Sequence, residues 1–212
     1  MRVMACLVIG YFMGTVNPSY IIGRMRGMDI RTEGSGNAGA SNAIIMMGKA
    51  VGALCALFDI FKAYAAYRVC TLLFPSLEPA GVLAGAGCML GHIFPVWMGF
   101  RGGKGLACLG GTILAYDWKF FFLILCAEIL LVLAVGYICV VAISASVVFP
   151  VVYAIGGGEA AGIIALAALA VVIFFKHREN IRRIIEGREL RISYLWNKDG
   201  ELDRIGANQD KK

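Results

Sequence analysis

Long apolar runs separated by three polar segments organise the chain. The runs cover Val3 to Gly23, Ala50 to Phe74, Ala80 to Met98, Trp118 to Val135, Ile138 to Ile155 and Ala160 to Phe175. Each approaches the roughly 20 residues that cross a bilayer as a helix, so the pattern predicts six spans. A seventh run, Leu106 to Tyr116, is short and rich in glycine and alanine. It must pack among other helices or extend backward through the glycines before it. The first run is interrupted by Asn17 and Pro18 and lacks a small-residue cleavage site. It reads as a retained helix, not a signal peptide.

Charge sets the parity of the spans. With seven helices and the amino terminus outside, Arg24, Arg26, Arg31, Lys49, Arg101, Lys104 and the basic residues from Lys176 onward share one face. Only Arg2 and Lys119 fall opposite, and the positive-inside tendency makes the first face cytoplasmic. Six helices would separate the basic carboxyl-terminal segment from the Arg24 to Lys49 loop. The expected fold is an all-α integral membrane protein, a seven-transmembrane-helix bundle with an interfacial C-terminal helix. No repeat or linker divides residues 1–212, which read as one membrane-embedded domain with a cytoplasmic tail over about 193–212.

Composition agrees with lipid as the solvent. Of 212 residues, 59% are hydrophobic and 16% charged, against about half and a quarter in soluble domains. Disorder, collagen and a disulfide scaffold are excluded. Seven cysteines lie singly in apolar runs without the close pairs of zinc or redox sites, and read as packing residues. No metal and no cofactor is expected. The net charge of +6 lies beside apolar segments, where an anionic membrane surface or phosphorylated substrates explain it better than nucleic acid.

The polar segments carry the candidate chemistry. The first reads Gly34-Ser35-Gly36-Asn37-Ala38-Gly39-Ala40-Ser41-Asn42 and leads into an apolar helix. Its glycines and the helix start suit an anion-binding nest, with Ser35, Asn37, Ser41 and Asn42 as donors; an ordinary turn capped by Ser41 or Asn42 is the other reading. The second segment ends Gly99-Phe100-Arg101-Gly102-Gly103-Lys104-Gly105. A nucleotide P-loop is excluded, because Met98 stands at its first glycine and Gly105 at its magnesium hydroxyl. What remains is a glycine bend displaying Lys104 and Arg101 to a phosphate or carboxylate, or snorkelling cations beside a helix break.

The third segment, Lys176 to Gly187, continues the last span as an amphipathic helix on which His177 and Asn180 share one side. Arg178, Arg182 and Arg183 suit anionic headgroups, and Glu179 suits a structural pair with Arg182 or Arg183. Within the spans, Asp59 and Lys62 can neutralise one another at three-residue spacing. Glu128 stands alone in an apolar run. His92 reads equally as a packing histidine or a further donor.

In combination, Ser-Gly-Asn-x-Gly-Ala-Ser-Asn, Gly-His-x-Phe-Pro-x(5)-Arg-Gly-Gly-Lys-Gly and His-Arg-Glu-Asn-Ile with a following Glu-Gly resemble the bacterial PlsY family of acyl-phosphate:glycerol-3-phosphate acyltransferases. The resemblance implies a seven-helix fold in the cell (inner) membrane, with the site on the cytoplasmic side. It further implies acyl phosphate and glycerol 3-phosphate as substrates, and lysophosphatidate and phosphate as products. Ser35, Lys104, His177 and Asn180 carry over as catalytic. Gly34, Gly36, Asn37, Ser41, Arg101, Gly102, Gly103 and Gly105 carry over as substrate-binding, and Glu179 as local support. One departure stands out: family members commonly carry an arginine where this chain has Ile45. Lys49 or Arg31 compensates, or the acceptor differs, or the chain is a weakened paralogue. A carrier for a small phosphorylated anion and a non-catalytic scaffold are the competing classes.

Overall fold

The computed structural model describes residues 1–206, and among them every regular element is helical. The helices are α1 (Arg2–Gly14), α2 (Pro18–Met25), α3 (Ala40–Met47), α4 (Lys49–Leu73), α5 (Ala80–Ile93), α6 (Leu106–Tyr116), α7 (Trp118–Val135), α8 (Ile138–Ile155), α9 (Ala160–Lys176), α10 (Arg178–Ile185) and α11 (Lys198–Arg204). Short 3-10 turns occupy Val96–Met98 and Ile192–Leu195. The apolar pattern fixes α6, α7 and α8 to the residue. The first run breaks where Asn17 and Pro18 predict: the Asn17 side chain accepts from the Tyr20 amide at 2.9 Å, and Pro18 opens α2.

Five helical stretches are long and apolar enough to cross a membrane: Arg2–Met25, Lys49–Leu73, Ala80–Met98, Trp118–Val135 and Ile138–Ile155. α9 with α10, bent by 44° between them, makes a sixth. α6 is roughly 17 Å long at 1.5 Å per residue, short of the roughly 30 Å hydrocarbon core. Length and apolarity therefore give five or six spans, not the expected seven, and a further crossing rests on α6. That helix does not extend backward through the glycines, since it starts at Gly105 with φ +89°.

α5 is the axis of the bundle, and every residue in it except Leu90 is buried. Its glycines let neighbouring backbones touch. A Cβ on Gly87 would lie 2.2 Å from the Leu7 carbonyl oxygen, and one on Gly91 2.0 Å from that of Tyr11. From the facing side, Gly10 and Gly14 approach the Ala84 and Cys88 carbonyls as closely, and Gly111 of α6 abuts Ile60 of α4. Such small-residue seams drive helix packing in lipid, where apolar burial contributes little between helices. α7 is the opposite case: only Ile124 and Glu128 are buried, while Leu123, Leu130 and Leu133 face outward. Glu128 is not alone after all, because Ser144 of α8 donates to it at 2.7 Å. All seven cysteines are free, and all but Cys126 are buried.

Beyond α10 the chain folds back against the bundle. The Ile192 amide donates to the Gly136 carbonyl at 2.7 Å, and Arg191 stacks over the Tyr137 ring. The expected cytoplasmic tail is thus structured through α11, with Trp196 exposed; its last residues, 207–212, lie outside the described residues.

Candidate active site

The first loop is built around Asn42. Its side chain accepts from the Ser35 amide at 2.9 Å and donates to the carbonyls of Ile30 at 2.9 Å and Glu33 at 3.0 Å. The Gly36 amide also donates to Glu33, at 2.9 Å. The capping reading of this segment needs correction, and the anion-nest reading loses two of its amides. α3 starts after Gly39 with no side-chain cap, so neither Ser41 nor Asn42 caps it. The Ser35 and Gly36 amides are engaged inside the loop, so they form no open anion nest. Asn17 anchors the same loop from α2 by donating to the Ala38 carbonyl at 2.8 Å.

The second segment doubles back along the end of α5. The Gly102 amide donates to the Ile93 carbonyl at 3.1 Å and the Gly103 amide to that of His92 at 3.0 Å. A Cβ on Gly103 would stand 2.0 Å from His92 Nε2. These glycines therefore serve close approach, and their amides are likewise engaged. Arg31 ties the first two segments together by donating to the Met98 carbonyl at 2.6 Å.

His92 sits beneath this bend, not in an open site. Its Nδ1 lies 3.4 Å from Asp59 and 3.1 Å from Lys62 Nζ, and Lys62 pairs with Asp59 at 2.6 Å. The Asp59 and Lys62 pair is the structural one its spacing suggested. Asp59, His92 and Cys108 are close enough to ligate a metal, but the Lys62 ammonium already fills the cation's place beside the carboxylate.

The third segment supplies the remaining wall. Lys104 Nζ donates to Asn180 Oδ1, and the Asn180 amide donates in turn to Glu189. Arg183 Nε meets the other Glu189 oxygen at 2.6 Å. Glu179 does not pair with Arg182 or Arg183, whose partners are Glu186 and Glu189. It faces Arg178 at 3.6 Å across exposed side chains, because a neighbour one residue along was within reach and the others were taken.

A cavity of about 220 Å3 joins the three segments. Ser35, Gly36 and Asn37 line it from the first loop, Arg101, Gly102, Gly103 and Lys104 from the second, and Lys176, Glu179 and Arg183 from the third. Gly34, Ser41, Gly105, His177 and Asn180 are not among the lining residues. Gly34 turns the loop at φ +57° against Asn42, Ser41 is exposed on α3, and Gly105 starts α6. Asn180 acts on the cavity through Lys104. His177 is buried, with Nδ1 2.8 Å from the Ile173 carbonyl.

Burial and the nearby Arg183 lower Lys104 to about 8, with Lys176 acting the same way and Glu189 and Cys139 opposing. The Ile173 carbonyl can only accept, so the facing Nδ1 of His177 carries a proton.

Sequence reasoning missed three contributors: Lys176 and Arg183, which line the cavity, and Glu189, which braces it. The apolar stripe on α10 was the available signal, since it leaves Arg183 on the inward side with Asn180. Neither compensator for Ile45 reaches the cavity. Arg31 is locked to Asp29 at 2.6 Å and over the Tyr20 ring, and it holds the Asp29 carboxyl at about 2. Lys49 and Ile45 line a second cavity of about 410 Å3 beside Trp196. Arg101, Lys104, Lys176 and Arg183 supply the cations instead.

A helical membrane bundle that gathers four cations, a serine and an asparagine around one open cavity has the makings of a membrane-embedded transferase for phosphorylated substrates. Comparison with known proteins gives the family. The model described as Glycerol-3-phosphate acyltransferase matches residues 4–187. A glycerol-3-phosphate acyltransferase of Rhizobium meliloti is 37% identical over 191 residues, 89% of this chain and 92% of the relative. One of Brucella anthropi is 34% identical over 193 residues, 91% and 94%. The crystal structure of PlsY, an integral membrane glycerol 3-phosphate acyltransferase, in its glycerol 3-phosphate form matches with a TM-score of 0.83 at 27% identity, covering 92% of this chain and 98% of that one. Its lysophosphatidic acid form matches at 0.79 and 26%, covering 90% and 95%. The chain belongs to the glycerol-3-phosphate acyltransferase family and is an integral membrane acyltransferase.

Proposed function

We propose that the protein transfers a fatty acyl group from acyl phosphate to the sn-1 hydroxyl of glycerol 3-phosphate, yielding 1-acylglycerol 3-phosphate and phosphate. The observation that carries this reading is the meeting of Ser35, Asn37, Lys104, Arg101, Lys176 and Arg183 at one cavity. Both substrates are anions, and their mutual repulsion is the first obstacle to reaction. Four cations in a partly dry site offset it, and they stabilise the charge that develops as the carbonyl is attacked.

The donor is a mixed anhydride with phosphate as its leaving group, so alignment supplies much of the remaining acceleration. The acceptor hydroxyl oxygen bonds to the acyl carbon, the carbon–oxygen bond to phosphate breaks, and the hydroxyl proton passes to a phosphate oxygen. Ser35 donates a hydrogen bond to phosphate in this scheme and stays unacylated. Lys104 carries the closest charge, with Asn180 and His177 fixing its surroundings. Arg101, Gly36, Asn37, Gly102 and Gly103 shape the substrate walls, and Gly34, Ser41 and Gly105 contribute through the backbone and α3. Seven crossings in a bacterial inner membrane, with the amino terminus outside and the cavity cytoplasmic, complete the proposal. Beneath the cavity, α5 is closely packed and the Asp59, Lys62 and His92 cluster is buried, which supports the enzymatic reading over transport.

Purified protein in vesicles, given acyl phosphate and labelled glycerol 3-phosphate, should form labelled lysophosphatidate with one phosphate released per turnover. Acyl-CoA and acyl carrier protein thioesters should give none. Product from a thioester alone would overturn the donor, uptake without product would overturn the reaction, and a trapped acyl-Ser35 would overturn direct transfer.

A further inference from the structure

The family match ends at residue 187, yet the next stretch of chain reaches the cavity wall. Glu189 Oε1 accepts from the Asn180 amide and Oε2 accepts from Arg183 Nε at 2.6 Å. Asn180 in turn receives the Lys104 ammonium on Oδ1. A primary amide has two orientations of nearly equal shape, and only its partners choose between them. Here a carboxylate demands the NH2 on one side and an ammonium demands the oxygen on the other. Remove the carboxylate, and the amide can rotate to point donors at a donor.

Glu189 is itself held from behind. Arg204 of α11 donates to the Glu189 carbonyl and, at 2.9 Å, to that of Gly187. Arg204 is oriented by Glu201, which accepts from it at 2.8 Å and 3.0 Å and from Ser193 at 2.6 Å. Glu201 is buried although charged. We infer that Glu189 is a positioning residue for the cavity, setting Asn180, Lys104 and Arg183 for phosphate, and that residues 188–204 form the brace that holds it there. The inference rests on the proposed handling of phosphate in this cavity.

Bridging of Asn180 and Arg183 by one carboxylate has an electrostatic consequence that mere structural support lacks. Lys104 is faced by Asn180 and Arg183 of α10, Glu189 beyond it, Lys176 and His177 at the end of α9, and Cys139 of α8. Among these, Glu189 and Cys139 favour the ammonium, and Arg183 and Lys176 oppose it. Loss of the carboxylate must therefore move Lys104 titration to lower pH.

The test uses the full chain in detergent, with Glu189→Gln, Glu189→Asp and Arg204→Met. Glu189→Gln should lower kcat/KM for glycerol 3-phosphate at least tenfold and move the alkaline limb of its pH profile down by about one unit, a tenfold change in the protonation constant. Glu189→Asp should restore the limb, and Arg204→Met should shift it in the same direction by less. Binding of inorganic phosphate, followed by calorimetry, should weaken in Glu189→Gln whichever acyl donor proves correct. A wild type whose phosphate affinity depends on Glu189 but which makes no lysophosphatidate would sink the proposed reaction and leave the positioning role standing. Wild-type activity in Glu189→Gln, or lost activity with an unmoved limb and unchanged phosphate affinity, would overturn the inference.

Discussion

Gly103→Ala places one methyl group where the second segment crosses α5. A Cβ there would lie 2.0 Å from His92 Nε2, 2.8 Å from Cε1 and 2.9 Å from Cδ2. The ring would have to retreat by roughly 1.4 Å to reach ordinary van der Waals contact. It cannot swing freely, because its other nitrogen faces Lys62 at 3.1 Å and Asp59 at 3.4 Å in the buried cluster. Either the ring leaves those ions or the backbone bearing Lys104 lifts. Overpacking of this kind costs about 1–3 kcal/mol, and a displacement near 1 Å at a catalytic group costs on the order of 100-fold in rate. The assay is kcat/KM for lysophosphatidate formation, measured well below the midpoint of thermal unfolding, together with that midpoint. Gly110→Ala on α6 is the control, since its Cβ would meet only Phe121, at 3.6 Å, and should leave activity unchanged. A folded Gly103→Ala protein with kcat/KM within twofold of wild type would refute the argument that this close approach sets Lys104.

Two further outcomes follow from the same geometry. Lys104 is lowered from 10.5 to about 8, and the proposed reaction uses its charged form, so kcat/KM should be flat below that pH and fall as pH rises through it. Bound phosphate favours the ammonium, so the limb in kcat should lie higher. Lys104→Arg, which stays charged, should abolish the limb; a limb persisting near pH 8 would assign it to another group. Asn42→Ala removes three hydrogen bonds inside the first loop, at about 1 kcal/mol each. It should lower the unfolding midpoint and raise KM for glycerol 3-phosphate several-fold, while an unchanged KM would detach the loop's shape from acceptor binding.

Helix positions were legible because the solvent writes them into the sequence. In lipid every backbone group must bond within its own helix, so runs such as Trp118–Val135 and Ile138–Ile155 read directly as elements. The convergence of three motifs was legible through their glycines and cations. What each glycine does was not, since an amide that could face an anion and one that bonds to a carbonyl look alike in sequence. Gly36, Gly102 and Gly103 belong to the second kind. Glu189 stayed hidden for a related reason: one more charge in a charged tail carries no periodicity, and only the fold-back after α10 brings it to Asn180.

Engagement of those amides helps keep the loops around the cavity rigid. Hydrogen bonds exposed to water contribute little each. This chain anchors two of the loops to buried groups, Asn42 and Asn17 for the first and the carbonyl end of α5 for the second, while Glu189 with Arg204 holds the third. The Asp59, Lys62 and His92 cluster serves that end. Three ionisable groups on two adjoining spans are costly to bury, and Lys62 also donates to the Val16 carbonyl at 2.7 Å, where α1 gives way to α2. One buried cluster thereby joins the turn before the first loop to the ring that supports Gly103. With the Ser35, Gly36, Gly102 and Gly103 amides taken, the four cations carry much of the positive charge offered to the cavity.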